Sequence, residues 1–438
     1  MNITALKKKI LDKKAVVGII GLGYIGLPLA VNFARNGFHV YGIDIDKDRV
    51  QRLKKNRSYI LDVTDDEIRG VIENKNLKVT TDFSVIQKLD AVLICVPTPL
   101  RKTKEPDVSF IVSAVEKIKK FMRKGQIVVL ESTTYPGTTE EVMLPVLESP
   151  SFKEGRDFYL AFSPERIDPG NEQYKTCNTP KIIGGISPRS TEIAKFLYDQ
   201  VIQEVIPVSS SSVAEMSKLL ENTFRIVNIG LVNEIMMMCD KIGIDVWEVI
   251  DAAKTKPYGY MPFYPGPGVG GHCIPVDPIY LSWRARNYGF EARFIDLAAY
   301  VNSRMPNHVV EKIAYGLNQN RLPLNGSRIL LVGMTYKKDV KDLRESPALE
   351  ITSLLKKQGA LVSYYDPYLP FLKIDGIDLT RSSFTRQTFR KADCVVIITD
   401  HSKVDYRRIV EYSKLIVDTR NILKTVRNAK LRKKIIKL

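Results

Sequence analysis

The sequence predicts an α/β protein made of two Rossmann-like, doubly wound domains joined by a long central helix. Three observations carry that expectation. Near the N-terminus a β-branched run, Val16 to Ile20, leads into Gly21, Gly23 and Gly26, then the helical pattern LPLAVNFARNG and a second strand, HVYGIDID. Towards the C-terminus RILLVGMTY, the helix ALEITSLLKKQG and LVSYYDP repeat strand, helix and strand without the glycine fingerprint, and the strands ADCVVIITD and KLIVDTR follow. Between them, from about Ser209 to Gly243, apolar residues recur at three and four on more than one face. A length of 438 residues exceeds what one core holds, and the expected divisions are 1–208, 209–320 and 321–438.

Composition narrows the class. Hydrophobic content of 44% and charged content of 26% describe a globular protein, with disorder expected only at the ends. The N-terminal MNITALKKKILDKK lacks the apolar run of a signal peptide, and no segment approaches the roughly 20 apolar residues that span a bilayer. A cytoplasmic location without membrane insertion is therefore expected. Cys95, Cys177, Cys239, Cys273 and Cys394 are widely spaced and form no CxxC pair, so neither a disulfide framework nor a metal site is expected. The net charge of +17 favours anionic partners, but no nucleic-acid-binding signature accompanies it. Part of that charge lies in the tail from Lys424 to Leu438, which reads either as a docked amphipathic helix or as a solvated basic face.

In the first strand–turn–helix, glycines let the backbone approach a pyrophosphate at a helix N-terminus. Asp44 ends the second strand, where an acid binds the adenine ribose and disfavours the extra phosphate of NADP, so NAD is the expected cofactor. The next strands each deliver a polar loop to the same crevice. Asp90 to Val96 breaks at Pro97-Thr98-Pro99, Ile127 to Leu130 leads to Thr133, and Phe158 to Phe162 leads into SPERIDPG with Glu165. Thr133 reads equally as a turn residue.

On the long helix Lys218 and Asn222 stand at i and i+4 and project from one face. Lys218 reads either as a site residue or as a surface partner of Glu215 or Glu221. The stretch from Tyr264 to Tyr280, YPGPGVGGHCIPVDPIY, is so rich in glycine and proline that a shaped loop is expected, carrying Cys273 and, four residues on, Asp277. Cys273 is either a nucleophile or merely small and buried. Lys337, Arg344 and Arg420 lie in strand-edge loops of the C-terminal domain, as phosphate contacts or as surface ion pairs.

An NAD crevice combined with a thiol loop suggests a particular chemistry. A single alcohol oxidation needs only a base. A thiol becomes useful when the aldehyde is oxidised again: Cys273 adds to it, the thiohemiacetal gives up a second hydride, and water cleaves the resulting thioester. The thiol therefore predicts a four-electron oxidation.

Taken in order, GLGYIG with Asp44, CVPTP, EST with Thr133, SPERIDPG, the Lys218–Asn222 helix, PGPGVGGHCIPVDP and KKDVKDLRESP resemble the UDP-glucose/GDP-mannose dehydrogenase family. Its members oxidise the C6 alcohol of a nucleotide-linked hexose to the carboxylate with two NAD. The resemblance runs from about Val16 to Arg420. It implies Cys273 as nucleophile, Lys218 and Asn222 stabilising the oxyanion, and Asp277, Glu165 and Thr133 managing protons and water. For NAD it implies Gly21, Gly23, Tyr24, Ile25, Gly26, Asp44, Pro97, Thr98, Thr133 and Arg344. For the sugar nucleotide it implies Glu165, Arg166, Lys218, Asn222, Tyr264, Gly266, Gly270, Gly271, His272, Lys337 and Arg420. A C-terminal UDP-sugar-binding domain and a homodimer built on the central helix are implied as well.

GGHCIPVDP preceded by MPFYPGPG looks like the branch of the family acting on UDP-N-acetylhexosamines. Pro275 and its neighbours favour UDP-N-acetylglucosamine, with the manno and galacto epimers and UDP-glucose as alternatives. His272 either reads the sugar or fills space beside the thiol. A uronic acid product suits polysaccharide biosynthesis. A single-step β-hydroxyacid-type dehydrogenase would explain neither the thiol loop nor the second α/β domain, and a non-catalytic module would not require every chemical position intact.

Overall fold

The computed structural model describes residues 3–438 apart from 61, 102, 168–170, 172 and 375. The end of the SPERIDPG motif, at 168–170, lies outside the described residues. The chain divides into two compact units, Met1–Glu221 with Ile279–Phe290, and Asn222–Pro278 with Glu291–Leu438.

The first unit is built on eight strands: β1 Val16–Ile20, β2 His39–Ile43, β3 Leu77–Thr80, β4 Ala91–Ile94, β5 Ile127–Leu130, β6 Tyr159–Phe162, β7 Lys181–Gly185 and β8 Val205–Pro207. Their order is β3-β2-β1-β4-β5-β6-β7-β8. From β3 to β6 every pairing is parallel, with Ile20 beside Ile43 and Ile94, and Ile94 beside Leu130. Such strands are covered on both faces, which is why they read as unbroken apolar runs rather than alternating ones. One face packs Ile19, Leu27, Phe33 and Tyr198, and the other packs Ile94, Val128, Leu130 and Phe162. Fully burying side chains of this size contributes about 1.5–3 kcal/mol each. The consequence for function is that β1, β4, β5 and β6 all end at one edge, carrying Gly21, Pro97, Thr133 and Glu165 to it. β7 departs from the expected pattern. It runs antiparallel to β6, with Phe162 opposite Gly184, so the start of β7 is brought to that same edge.

The second unit contains β9 Arg328–Val332, β10 Leu361–Tyr365, β11 Phe371–Ile374, β12 Ile377–Thr380, β13 Cys394–Ile397, β14 Ile416–Asp418 and β15 Ile435–Lys437. Five of them form a parallel sheet in the order β10-β9-β13-β14-β15, and β11–β12 is a separate antiparallel hairpin. The two-Rossmann expectation is thus met. The echo extends to detail: Gly333 turns at φ +85°, and Asp366 after β10 accepts from the Met334 amide at 2.7 Å, as Asp44 after β2 accepts from Leu22 at 2.8 Å. The basic tail differs from the amphipathic helix weighed for it. Only Ala429–Arg432 is helical, and Ile435–Lys437 completes the sheet beside β14, whose backbone groups would otherwise be unpaired.

The central helix spans Ser211–Ile242 and the next long one Arg293–Gln319. At Gly230 an added Cβ would stand 3.0 Å from the Ala298 Cα, so these two helices approach as closely as a glycine allows. Among the described residues no helix is long and apolar enough to cross a membrane.

Candidate active site

The three glycines after β1 do three different things. Gly21 sits at φ +91°, and a Cβ there would lie 2.3 Å from the Cys95 carbonyl oxygen, so only glycine makes this turn. At Gly26 a Cβ would lie 1.8 Å from the Gly21 carbonyl oxygen, which locks the start of the helix Gly26–Arg35 against the turn. Gly23 has nothing within 4 Å. Packing therefore explains two glycines and leaves Gly23 for a ligand, as a pyrophosphate at this helix N-terminus requires. Asp44 is buried, accepts from the Leu22 and Asp46 amides at 2.8 and 2.9 Å and has Arg49 at 3.6 Å. With one backbone donor on each oxygen, the carboxylate retains acceptor capacity for ribose hydroxyls. Tyr24 and Pro97 are exposed beside the glycine turn and after β4, and Ile25 is half-buried. The Pro97–Pro99 loop is pinned by the Tyr280 hydroxyl, which donates to the Thr98 carbonyl and, at 3.1 Å, to that of Pro99. The residues present fit NAD.

Further along the edge, Thr133 is half-buried and the neighbouring Ser132 hydroxyl bonds the Val96 carbonyl at 2.8 Å. Glu165 is 9% exposed, and one of its oxygens accepts from the Arg166 and Ile167 amides, both at 2.7 Å. Arg166 is held by the Pro180 carbonyl at 2.7 Å and by Glu221 at 2.8 Å. That bond removes Glu221 as a partner for Lys218. Glu215 is removed as well, because its buried carboxylate accepts from the Gly137 and Thr139 amides at 2.6 and 2.9 Å and from the Thr139 hydroxyl at 2.7 Å. Lys218 is 8% exposed, and among the described residues no hydrogen bond or ion pair engages its ammonium. Burying an amine without a partner is costly, so its position points away from the surface-pair alternative.

In the second unit Asn222 donates through its amide to Asp277 at 2.5 Å, and both are buried. Cys273 is exposed, which excludes the small-and-buried alternative. Its carbonyl accepts from the Val276 and Asp277 amides at 3.1 and 2.9 Å, closing a turn into the helix Asp277–Arg286. The loop is thus shorter than its prolines imply, since Pro278 occupies the first helical turn, where a missing N–H costs nothing. A thiol just ahead of a helix start is placed where the dipole favours the thiolate.

The other glycines of this loop approach protein. A Cβ on Gly266 would meet the Arg420 guanidinium at 2.7 Å, one on Gly270 the Glu345 carbonyl at 2.6 Å, and one on Gly271 the Tyr336 ring at 2.8 Å. Asn233, buried on the central helix, accepts from the Gly266 amide at 3.0 Å and donates to Asn302 at 2.8 Å, fixing where the loop begins. Tyr264 stacks on Trp247, and Gly271 donates to the Arg344 carbonyl at 3.0 Å. Arg344 forks onto Asp342, Arg420 donates to the Ile398 carbonyl at 2.9 Å, and Lys337 is half-buried. Burial, with Arg344 adding to it, pushes the His272 imidazole below its usual pKa, so it is neutral at pH 7.

Comparison with known proteins gives the same reading. Residues 15–202 match the NAD binding domain of the UDP-glucose/GDP-mannose dehydrogenase family, 212–304 its central domain and 330–425 its UDP binding domain. A UDP-N-acetyl-D-mannosamine dehydrogenase of Methanococcus maripaludis is 37% identical over 92% of each chain. A UDP-N-acetyl-D-glucosamine 6-dehydrogenase of Pseudomonas aeruginosa is 38% identical over 82% of this chain and 84% of its own. The solved UDP-D-ManNAc dehydrogenase of Pyrococcus horikoshii superposes with a TM-score of 0.86 at 33% identity, covering 94% of this chain and 96% of that one.

The chain belongs to the UDP-glucose/GDP-mannose dehydrogenase family. It is accordingly an NAD-binding oxidoreductase of the nucleotide-sugar dehydrogenases, with a UDP binding domain at its C-terminal end. Sequence reasoning missed one charged group in this family member: Lys181, Glu131 and Tyr198, buried together beside Glu165. The only sequence signal was a lysine and a glutamate at the ends of apolar strands, where a charge needs a buried partner.

Proposed function

We propose that this protein carries out the four-electron oxidation of the C6 hydroxyl of a UDP-N-acetylhexosamine, UDP-N-acetylglucosamine being favoured, to the uronic acid. The chain works in three parts: residues 1–208 bind NAD, 209–320 carry the thiol loop and the dimer helix, and 321–438 grip the UDP-sugar. NAD, held at Gly21, Gly23, Gly26 and Asp44, supplies hydride acceptance in both oxidations. The Cys273 thiolate adds to the C6 aldehyde, forming a C–S bond while the carbonyl oxygen takes a proton, and after the second oxidation the carbon is a thioester. Water then attacks that carbon, the C–S bond breaks, and the carboxylate leaves with Cys273 restored as a thiol. Lys218 holds the negative oxygen at each tetrahedral stage, with Asn222 beside it, and an ammonium without a partner among the described residues is suited to that task. Glu165, Asp277 and Thr133 manage protons and water. Lys337 and Arg420 meet the nucleotide, with Arg344 at the cofactor.

The observation that carries this reading is the thiol loop: an exposed Cys273 one turn ahead of Asp277, with Asp277 bound to Asn222 four residues after Lys218. A neutral His272 suits an uncharged acetamido group, and Pro275 favours the gluco epimer. The test is NADH release from limiting UDP-N-acetylglucosamine, UDP-N-acetylmannosamine, UDP-N-acetylgalactosamine and UDP-glucose in parallel. The expected result is two NADH per UDP-N-acetylglucosamine and a kcat/KM for it at least tenfold above that for each of the other three. Preference for another sugar would overturn the epimer and leave the chemistry standing.

The protein is further proposed to act in the cytoplasm as a homodimer. The central helix exposes Val213, Met216, Leu220, Phe224, Leu231, Met238 and Ile242, a stripe recurring at three, four and seven that a second copy would cover. Leu231→Glu should convert the dimer to monomer in light scattering, and a wild-type monomer would refute it.

A further inference from the structure

Beside Glu165 lies a buried charged group that the proposed chemistry does not use. Because β7 runs antiparallel to β6, with Ala161 opposite Gly185 and Phe162 opposite Gly184, the same register carried past the end of β6 to the first residue of β7 brings Lys181 alongside Glu165. The Lys181 ammonium donates to Glu131 at 2.7 Å and to the Pro164 carbonyl at 3.5 Å, and stands 4.0 Å from the second oxygen of Glu165. The Tyr198 hydroxyl donates to the other oxygen of Glu131. Glu131 and Tyr198 have no exposed surface and Lys181 is 5% exposed, so water cannot substitute for any of these contacts. Burial by itself lowers the Lys181 pKa, but the Glu131 and Glu165 carboxylates outweigh it and push it up.

Among the described residues, the groups shown to face Glu165 are Lys181 from β7, Glu131 from the end of β5, the buried Cys95 thiol after β4, and the amides of Arg166 and Ile167. Burial holds Cys95 neutral, and the Arg166 guanidinium is turned to Pro180 and Glu221. Lys181 is thus the one cation directed at this carboxylate among the described residues. We propose that Lys181, anchored by Glu131 and Tyr198, is a positioning residue that holds the Pro164–Glu165 turn and supplies the positive charge against which the Glu165 carboxylate works. The inference rests on the reading of Glu165 as a proton-handling residue.

The test uses Lys181→Met/Glu131→Gln, which removes both buried charges at once so that neither is left unpaired, together with Lys181→Arg, Tyr198→Phe and Glu165→Gln. NAD affinity, kcat and KM are measured from pH 5 to 9 with UDP-N-acetylglucosamine or whichever UDP-sugar is turned over fastest. The expected result for the double variant is wild-type NAD affinity, KM within threefold and kcat lowered at least tenfold at pH 7. Lys181→Arg should restore kcat to within about threefold. Tyr198→Phe, which removes one hydroxyl, should lower kcat by less, at least threefold with KM unchanged, and it carries the test if the double variant does not fold. If Glu165→Gln lowers kcat but the double variant, or Tyr198→Phe in its place, keeps the wild-type kcat, the role of Lys181 is refuted. If Glu165→Gln itself turns over at the wild-type rate, the reading of Glu165 fails instead, and this inference with it.

Discussion

Gly23 and Gly26 stand three residues apart in one motif, yet alanine at each should fail for opposite reasons. At Gly26 the added Cβ would lie 1.8 Å from the Gly21 carbonyl oxygen, more than 1 Å inside the closest approach such atoms adopt. The oxygen belongs to a turn whose own φ of +91° is fixed by the Cys95 carbonyl, so it has little room to yield. Overpacking of this kind costs about 3 kcal/mol. For a unit of this size that lowers the melting temperature by roughly 5–10 °C. At Gly23 there is nothing within 4 Å, so alanine should change stability by no more than about 0.5 kcal/mol. What it occupies is the space a pyrophosphate needs, and displacing that contact should weaken NAD binding by about 10- to 100-fold, or about 1.4–2.8 kcal/mol. The assay is thermal melting of wild type, Gly23→Ala and Gly26→Ala with and without saturating NAD, alongside NADH titration by fluorescence. Gly23→Ala should melt with the wild type when NAD is absent and fall behind when it is present. If Gly23→Ala is destabilised as much as Gly26→Ala, or binds NADH normally, the division of roles among the glycines is wrong.

Two further variants test other parts of the account. Burial pushes the Glu215 carboxyl up from 4.5 to about 7 despite its bonds to Thr139 and Gly137. The folded state therefore holds a proton that the unfolded chain releases, so this contribution to stability is complete below about pH 4.5 and is lost as pH climbs through 7. The difference amounts to about 3 kcal/mol. Urea unfolding at pH 5 and pH 8 should show a smaller loss in Glu215→Gln than in wild type, and equal losses would contradict the assignment. Asn233→Ala leaves the buried Gly266 amide without its acceptor, which costs about 1–3 kcal/mol and loosens the start of the thiol loop. Its kcat/KM should fall at least fivefold while NAD affinity is retained, and an unchanged kcat/KM would show that the loop is held by other contacts.

What could be read from the sequence follows how local each signal is. The glycine turn, Asp44 and the helix Ser211–Ile242 are written in spacings of a few residues, and their elements form where those spacings place them. Lys218 and Asn222 were legible as a pair, but the choice between a site and a surface depended on where Glu215 and Glu221 spend their carboxylates, which is settled by residues 76 and 55 positions away. The Lys181 cluster was invisible for a related reason. Its geometry comes from the antiparallel register of β7, and a five-residue apolar strand carries no mark of its direction. The tail admits an amphipathic helix or a solvated basic face from sequence, because Val426, Leu431 and Ile435 fit a helical spacing, while the deciding factor is the edge of β14 that Ile435–Lys437 pairs with. In the thiol loop the glycine density implies a shaped loop without naming its neighbours, and Gly266, Gly270 and Gly271 make room for Arg420, Glu345 and Tyr336 of the chain itself.

The central claim is that Cys273 forms a covalent bond to the substrate between two oxidations. Acid quenching of the enzyme during turnover, followed by mass spectrometry of the Cys273 peptide and a count of NADH per sugar consumed, tests it directly. The account predicts a thioester-linked sugar nucleotide on Cys273, two NADH per sugar, and loss of both in Cys273→Ser. One NADH per sugar, or a Cys273→Ser enzyme that still completes both oxidations, would contradict it.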